Sequence, residues 1–258
     1  MRELFIVCVL AACGSSNAKP DAAMAQDSRS IDAASLNQGV VTLLQGYDGA
    51  ENTGQATAGF VMGNVFGTPV ATDGPCGLNG SASTMVLDAG AITVTGTASP
   101  VTLDYGGSPA KYEASPTPPY PLFTAGATIT VTAAGGAGVA GFTGTVTGPA
   151  NVAGFTRPTT MSRAGYTLTW TAGAGPGMWV LIAGVDDMFD SSGIVCMVPD
   201  TGTFAIPAST FALLPAADTM GGVAIVRVAQ TEVTDSDGTK VYLIGASQDS
   251  STIIPLTD

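Results

Sequence analysis

Tyr166-Thr167-Leu168-Thr169-Trp170-Thr171 places an apolar or aromatic side chain at every second position and threonine between them. In a strand, successive side chains point to opposite faces, so this stretch buries one face and wets the other. Threonine suits the wet face because its branched Cβ fits the pleat while its hydroxyl meets water. The same pattern recurs in Ile92-Thr93-Val94-Thr95, in Val101-Thr102-Leu103-Asp104-Tyr105 and in Thr128-Ile129-Thr130-Val131-Thr132. Three runs, Met178–Val185, Val223–Val228 and Val241–Ile244, are apolar on both faces and predict central strands covered on both sides. Gly106-Gly107, Gly135-Gly136, Gly148-Pro149 and Asp237-Gly238 supply turns between such segments. No segment keeps a 3.6-residue period for three turns. The expectation is an all-β chain over residues 36–258: an antiparallel β-sandwich with Greek-key, immunoglobulin-like connections.

Composition agrees with a packed body. Of 258 residues, 45% are apolar and 11% charged, which disfavours disorder. The formal net charge of −12 repels phosphate backbones and argues against nucleic-acid binding. After the N-terminus there is no apolar run of the roughly 18 residues that a spanning helix needs. Ser115-Pro116-Thr117-Pro118-Pro119-Tyr120-Pro121 is the best internal boundary, because proline blocks both helix and central strand. Too few strands precede it for a separate domain, so one domain with residues 115–121 as a surface crossover is preferred to a subdivision there.

The N-terminus reads as an address. An apolar run, Leu4-Phe5-Ile6-Val7-Cys8-Val9-Leu10-Ala11-Ala12, follows Arg2 and Glu3 and is far too short to span a bilayer. It closes on Leu10-Ala11-Ala12-Cys13, with Gly14-Ser15-Ser16 after it. This resembles the lipobox of bacterial lipoproteins: an aliphatic residue, two small residues and the cysteine to be modified. The resemblance implies that residues 1–12 are a signal peptide, that Cys13 becomes lipidated, and that Cys8 leaves with the signal. It further implies an outer-membrane lipoprotein, facing the periplasm or the cell surface, since Gly14 rather than aspartate follows the cysteine. One acyl chain holds a protein only marginally at about 0.8 kcal/mol per buried CH₂, whereas two or three chains on one cysteine hold durably. Residues 13–35 are small and polar without apolar periodicity, and predict a flexible tether.

Cys76 and Cys196 then remain as an even pair. In an oxidising envelope compartment they suggest a disulfide. Closing so long a loop stabilises by about 5 kcal/mol in the chain-entropy view.

The sequence contains no histidine. Ser-His-Asp and Cys-His catalysis, histidine-ligated zinc and the usual neutral-pH base are therefore absent. Val198-Pro199-Asp200-Thr201-Gly202-Thr203 resembles the Asp-Thr-Gly-Thr strip of aspartic proteases, whose chemistry needs two such strips facing each other. No second Asp-Thr-Gly or Asp-Ser-Gly is present, and the competing reading is a turn between two strands. Asp186, Asp187 and Asp190 form a weak calcium candidate, and Asp235-Ser236-Asp237-Gly238 a weaker one. Neither has the full calcium-loop spacing, and no other cofactor is implied. Tyr105, Tyr112, Tyr120 and Trp179 are candidates for a sugar-stacking platform, while Trp170 reads as core. The Gly-rich stretches 135–141 and 173–177 lack a phosphate-binding lysine and read as loops.

The functional expectation is a membrane-anchored, non-catalytic envelope module. It would be held to the lipid bilayer through Cys13, with an envelope protein or glycan as ligand. The alternatives are a hydrolase working with carboxylates alone, in the manner of glycosidases, and an accessory subunit of an outer-membrane machine or fibre.

Overall fold

The computed structural model describes residues 37–258, apart from residues 49, 81–85, 107–110, 115, 116, 174, 176, 187 and 189. Residues 1–36, on which the expected signal peptide, Cys13 and the expected tether fall, and Asp187 lie outside the described residues.

The described chain is almost wholly strand. In order, its elements are β1 (Asn37–Tyr47), β2 (Asn52–Met62), β3 (Ala71–Asp73), β4 (Cys76–Leu78), β5 (Ile92–Thr95) and β6 (Val101–Gly106). Then come β7 (Lys111–Ala114), β8 (Thr128–Ala133), β9 (Phe142–Thr147), β10 (Met161–Ser162), β11 (Gly165–Thr169) and β12 (Gly177–Val185). The last are β13 (Ser191–Val198), β14 (Thr203–Pro207), a single helical turn α1 (Ala208–Phe211), β15 (Met220–Thr234), β16 (Lys240–Ser250) and β17 (Ile254–Thr257).

Fifteen strands share one sheet, ordered β3-β4-β13-β12-β15-β16-β1-β2-β7-β6-β5-β8-β9, with β17 joining β15 to β10. A separate pair, β11 and β14, is antiparallel. The all-β expectation holds, and the three doubly apolar runs do form the sheet centre as β12, β15 and β16. The sheet is mixed rather than purely antiparallel, because β1 runs parallel to β16. Such a pair suits strands covered on both faces, and local alternation carries no information about which distant strand will be the neighbour.

Threonine does what its position demands. Ile129 and Val131 of β8 are buried, while Thr128 and Thr132 are exposed. Registered neighbours align the hydroxyls into rows: Thr102 faces Thr93, Thr93 faces Thr132, and Thr132 faces Thr143 across β6, β5, β8 and β9. Cross-strand pairs of this kind stabilise a sheet by a few tenths of a kcal/mol each.

The sheet folds over itself. A Cβ on Gly144 of β9 would lie 2.5 Å from Val233 Cγ1 and 2.7 Å from Leu243 Cδ1, so β9 crosses β15 and β16 at a distance only glycine allows. One face of the central strands then carries two apolar clusters. The first gathers Val41, Leu43, Phe60, Leu103, Ile129 and Leu243. The second gathers Trp170, Met178, Val180, Ile194, Val223 and Ile225 under β11 and β14. The opposite face carries a third, including Val40, Leu44, Leu181, Val226 and Ile244. Residues 117–121 run between β7 and β8, beside the first cluster.

The disulfide is formed. Cys76 and Cys196 stand directly opposite each other on β4 and β13, and their sulfurs are bonded.

Candidate functional site

Arg227 interrupts the apolar run Val223–Val228 in the middle of β15, and its side chain is buried. A cation there must find partners, since an uncompensated buried charge is strongly destabilising. It finds Asp200, at 2.7 Å from Nε to Oδ2, with both side chains almost fully buried. Its Nη1 donates to the carbonyls of Ala150 and Asn151, and its Nη2 to that of Thr171. Trp170 Nε1 donates to the other oxygen of Asp200 at 2.8 Å. Gly173 packs against the guanidinium, where any Cβ would come within 2.6 Å of Arg227 Cζ.

These bonds belong to a polar band between the two apolar clusters on that face. Gln45 Nε2 donates to Asn151 Oδ1 at 2.8 Å, and Phe123 N donates to Gln45 Oε1 at 2.9 Å. Ser247 Oγ donates to Asn151 Oδ1. Arg157 Nε donates to Asp249 Oδ1 at 2.8 Å, and the guanidinium lies 4.2 Å from the centre of the Tyr47 ring. The segment 148–157, between β9 and β10, supplies many of these partners and straps the two clusters together.

Asp200 and Asp249 are thus each paired with an arginine. Burial pushes Asp200 up, but hydrogen bonds from Arg227, Trp170 and the Gly173 amide outweigh it and leave the group below its ordinary range. An acid held ionised beside an arginine cannot share a proton with a second carboxylate, so the resemblance of residues 198–203 to a protease strip does not extend to a dyad. The chain does reverse there, with Gly202 at φ +86°, yet Asp200 reaches inward to Arg227 instead of capping the turn. Asp249 differs: burial raises it, and Arg157 only partly opposes the shift.

Asp186 and Asp235 of the acidic loops accept backbone amides. Asp186 Oδ1 accepts the amides of Met188 and Asp190. Asp235 Oδ1 accepts those of Asp237 and Thr239, and its Oδ2 that of Ala140. Among the described residues, no three acidic or cysteine side chains converge as a metal-binding group.

The four aromatic candidates do not form one platform. Tyr112 is fully buried, its hydroxyl donating to Asp88 and accepting from the Ala89 amide, and burial pushes its phenol up. Tyr105 is exposed with its ring 5.3 Å from that of Tyr112, and Tyr120 is exposed where its hydroxyl accepts from Asn151 Nδ2. Trp179 is half-buried and belongs to the third cluster's face. There it stands opposite Met197, which is 65% exposed. Gly177, Trp179, Met197, Pro199, Val228 and Gln230 line an open groove of about 450 Å³.

No family model matches this chain. No curated protein matches it either. Among solved structures, the chain is similar to the "tetra-tandem repeat in extending region of large adhesion protein", at 14% identity and a TM-score of 0.20. The match covers 82% of this chain and 49% of that one, so the chain spans about half of that structure's length. A superposition this loose carries no argument about function.

Sequence reading missed both Arg227 and the groove. A charge inside an otherwise apolar central strand was the available signal for Arg227, since such a residue needs a buried partner. Met197 gave none, because only the register with Trp179 brings the two together.

Proposed function

We propose that this chain is a non-catalytic binding module, lipid-anchored in the bacterial envelope through Cys13 and presented on the tether of residues 13–35. The observation that supports it best is the contrast between acids and apolar surface. Asp200 and Asp249 are tied to arginines, and Asp186 and Asp235 to backbone amides, whereas Trp179 and Met197 flank an open groove. A half-buried tryptophan beside a flexible thioether suits contact with an apolar protein surface. Among the described residues of this lining, Gln230 and the Trp179 indole N–H are the polar side-chain groups, which favours a protein partner over a glycan, since sugars need several converging polar groups.

The test is a photo-crosslinker placed at Met197 in intact cells. A discrete adduct that disappears with Trp179→Ala supports binding at the groove; absence of any adduct counts against it. Turnover of a glycoside or peptide by the purified chain would instead favour the carboxylate-hydrolase reading.

A further inference from the structure

We infer that the body is built to carry tension along its strands, with the parallel β1–β16 pair as the clamp. The chain enters the sheet at Asn37, the start of β1, and β1 pairs with β16 over ten positions from Gln38–Lys240 to Tyr47–Asp249. On its other side β1 pairs with β2 over eleven positions. After Ser250 the chain continues in the same direction into β17, where Pro255 faces Met220, the first residue of β15. The other end of β15, Thr234, lies level with Lys240 and hence near Gln38. The two ends of the described chain thus leave from opposite ends of the sheet. At about 3.3 Å per residue, the fifteen residues of β15 place them on the order of 50 Å apart.

That geometry decides how force is shared. Ladder hydrogen bonds lie across the strands. Tension between the two termini runs along β1 and β16 and pulls every bond of the pair sideways together, so they must fail at once. Tension applied across one end of the same pair opens it bond by bond. The buried apolar side chains of β1 on both faces, Val41 and Leu43 on one and Val40 and Leu44 on the other, add packing that must also shear. The Cys76–Cys196 bridge limits the damage by withholding the 120 residues it spans from extension. The use of such a clamp rests on the presentation role proposed above, but its strength does not, so a weak clamp would leave groove binding untouched.

The experiment is single-molecule pulling on the whole chain at one loading rate, in two geometries. Handles at the two termini load the pair lengthwise. Handles at Ala50 and Thr252, both exposed and both at the Tyr47–Asp249 end, load it crosswise. The expected result is a terminal rupture force at least about twice the crosswise one, reflecting slower forced unfolding in that geometry. Reduction of the bridge is expected to lengthen the terminal extension by the enclosed loop. Equal forces, or an extension unchanged by reduction, would overturn the inference.

Discussion

Asp200, from the loop after β13, and Arg227, from the middle of β15, meet at 2.7 Å in the interior and tie the edge of one apolar cluster to the central strand. Removing one partner alone leaves the other charge buried. Asp200→Leu and Arg227→Met are each expected to destabilise by about 3–5 kcal/mol. The double change is expected to cost less than either single one. Urea denaturation of the three variants checks this, and additive losses would show that the pair is not coupled.

Acidity should act on this pair with a definite sign. The folded pKa of Asp200 lies below its ordinary value of 3.8. Its contribution is therefore complete above the ordinary carboxylate range and is lost as pH falls through that value and below. Asp249 is raised, so its ionised form opposes folding and protonation relieves the opposition. Denaturation curves from neutral to acid pH should show Asp200→Asn flattening the acid loss and Asp249→Asn steepening it.

Trp170 is a core residue with a polar duty. Trp170→Ala is expected to cost about 3–5 kcal/mol through the cavity left in the second cluster. Trp170→Phe keeps most of the ring volume but loses the bond to Asp200, with an expected cost of about 1.5–3 kcal/mol. Thermal melts of both variants separate packing from hydrogen bonding; equal losses would assign the whole effect to the bond.

Replacing Cys76 and Cys196 together by alanine is expected to lower stability by about 2–5 kcal/mol. Mass mapping without reductant should recover the two peptides joined, and finding two free thiols would refute the bridge.

For the anchor, Cys13→Ser is expected to move the protein from membrane to soluble fractions. Protease treatment of intact cells then reports orientation. Cleavage means the body faces outward, and protection until permeabilisation means it faces the periplasm.

Much of the fold was legible because threonine and aliphatic residues alternate so strictly. Thr128–Thr132 became β8 with the predicted face inward, Trp170 joined the core, and Cys76 met Cys196. The direction of β1 was not legible, because pairing with β16 depends on contacts some two hundred positions away. The role of Asp200 was obscured by its neighbours: Thr201 and Gly202 suggest a turn or a protease strip, and nothing local points to Arg227. The groove was the least legible feature, since Trp179 and Met197 become neighbours only across the β12–β13 ladder.

The polar band under residues 148–157 also sets where the molecule breathes. Two oily compartments that touched directly would have to expose apolar surface to part. Here the joint is made of Gln45, Asn151, Arg157, Arg227, Ser247 and Asp249, all of which water can solvate as readily as the protein does. Amide deuteration should therefore enter first along 148–157, which pairs in no ladder, while the strands beneath each oily compartment, β16 among them, remain protonated. That segment would then lift locally, while the third cluster on the opposite face holds β12, β15, β16 and β1 together.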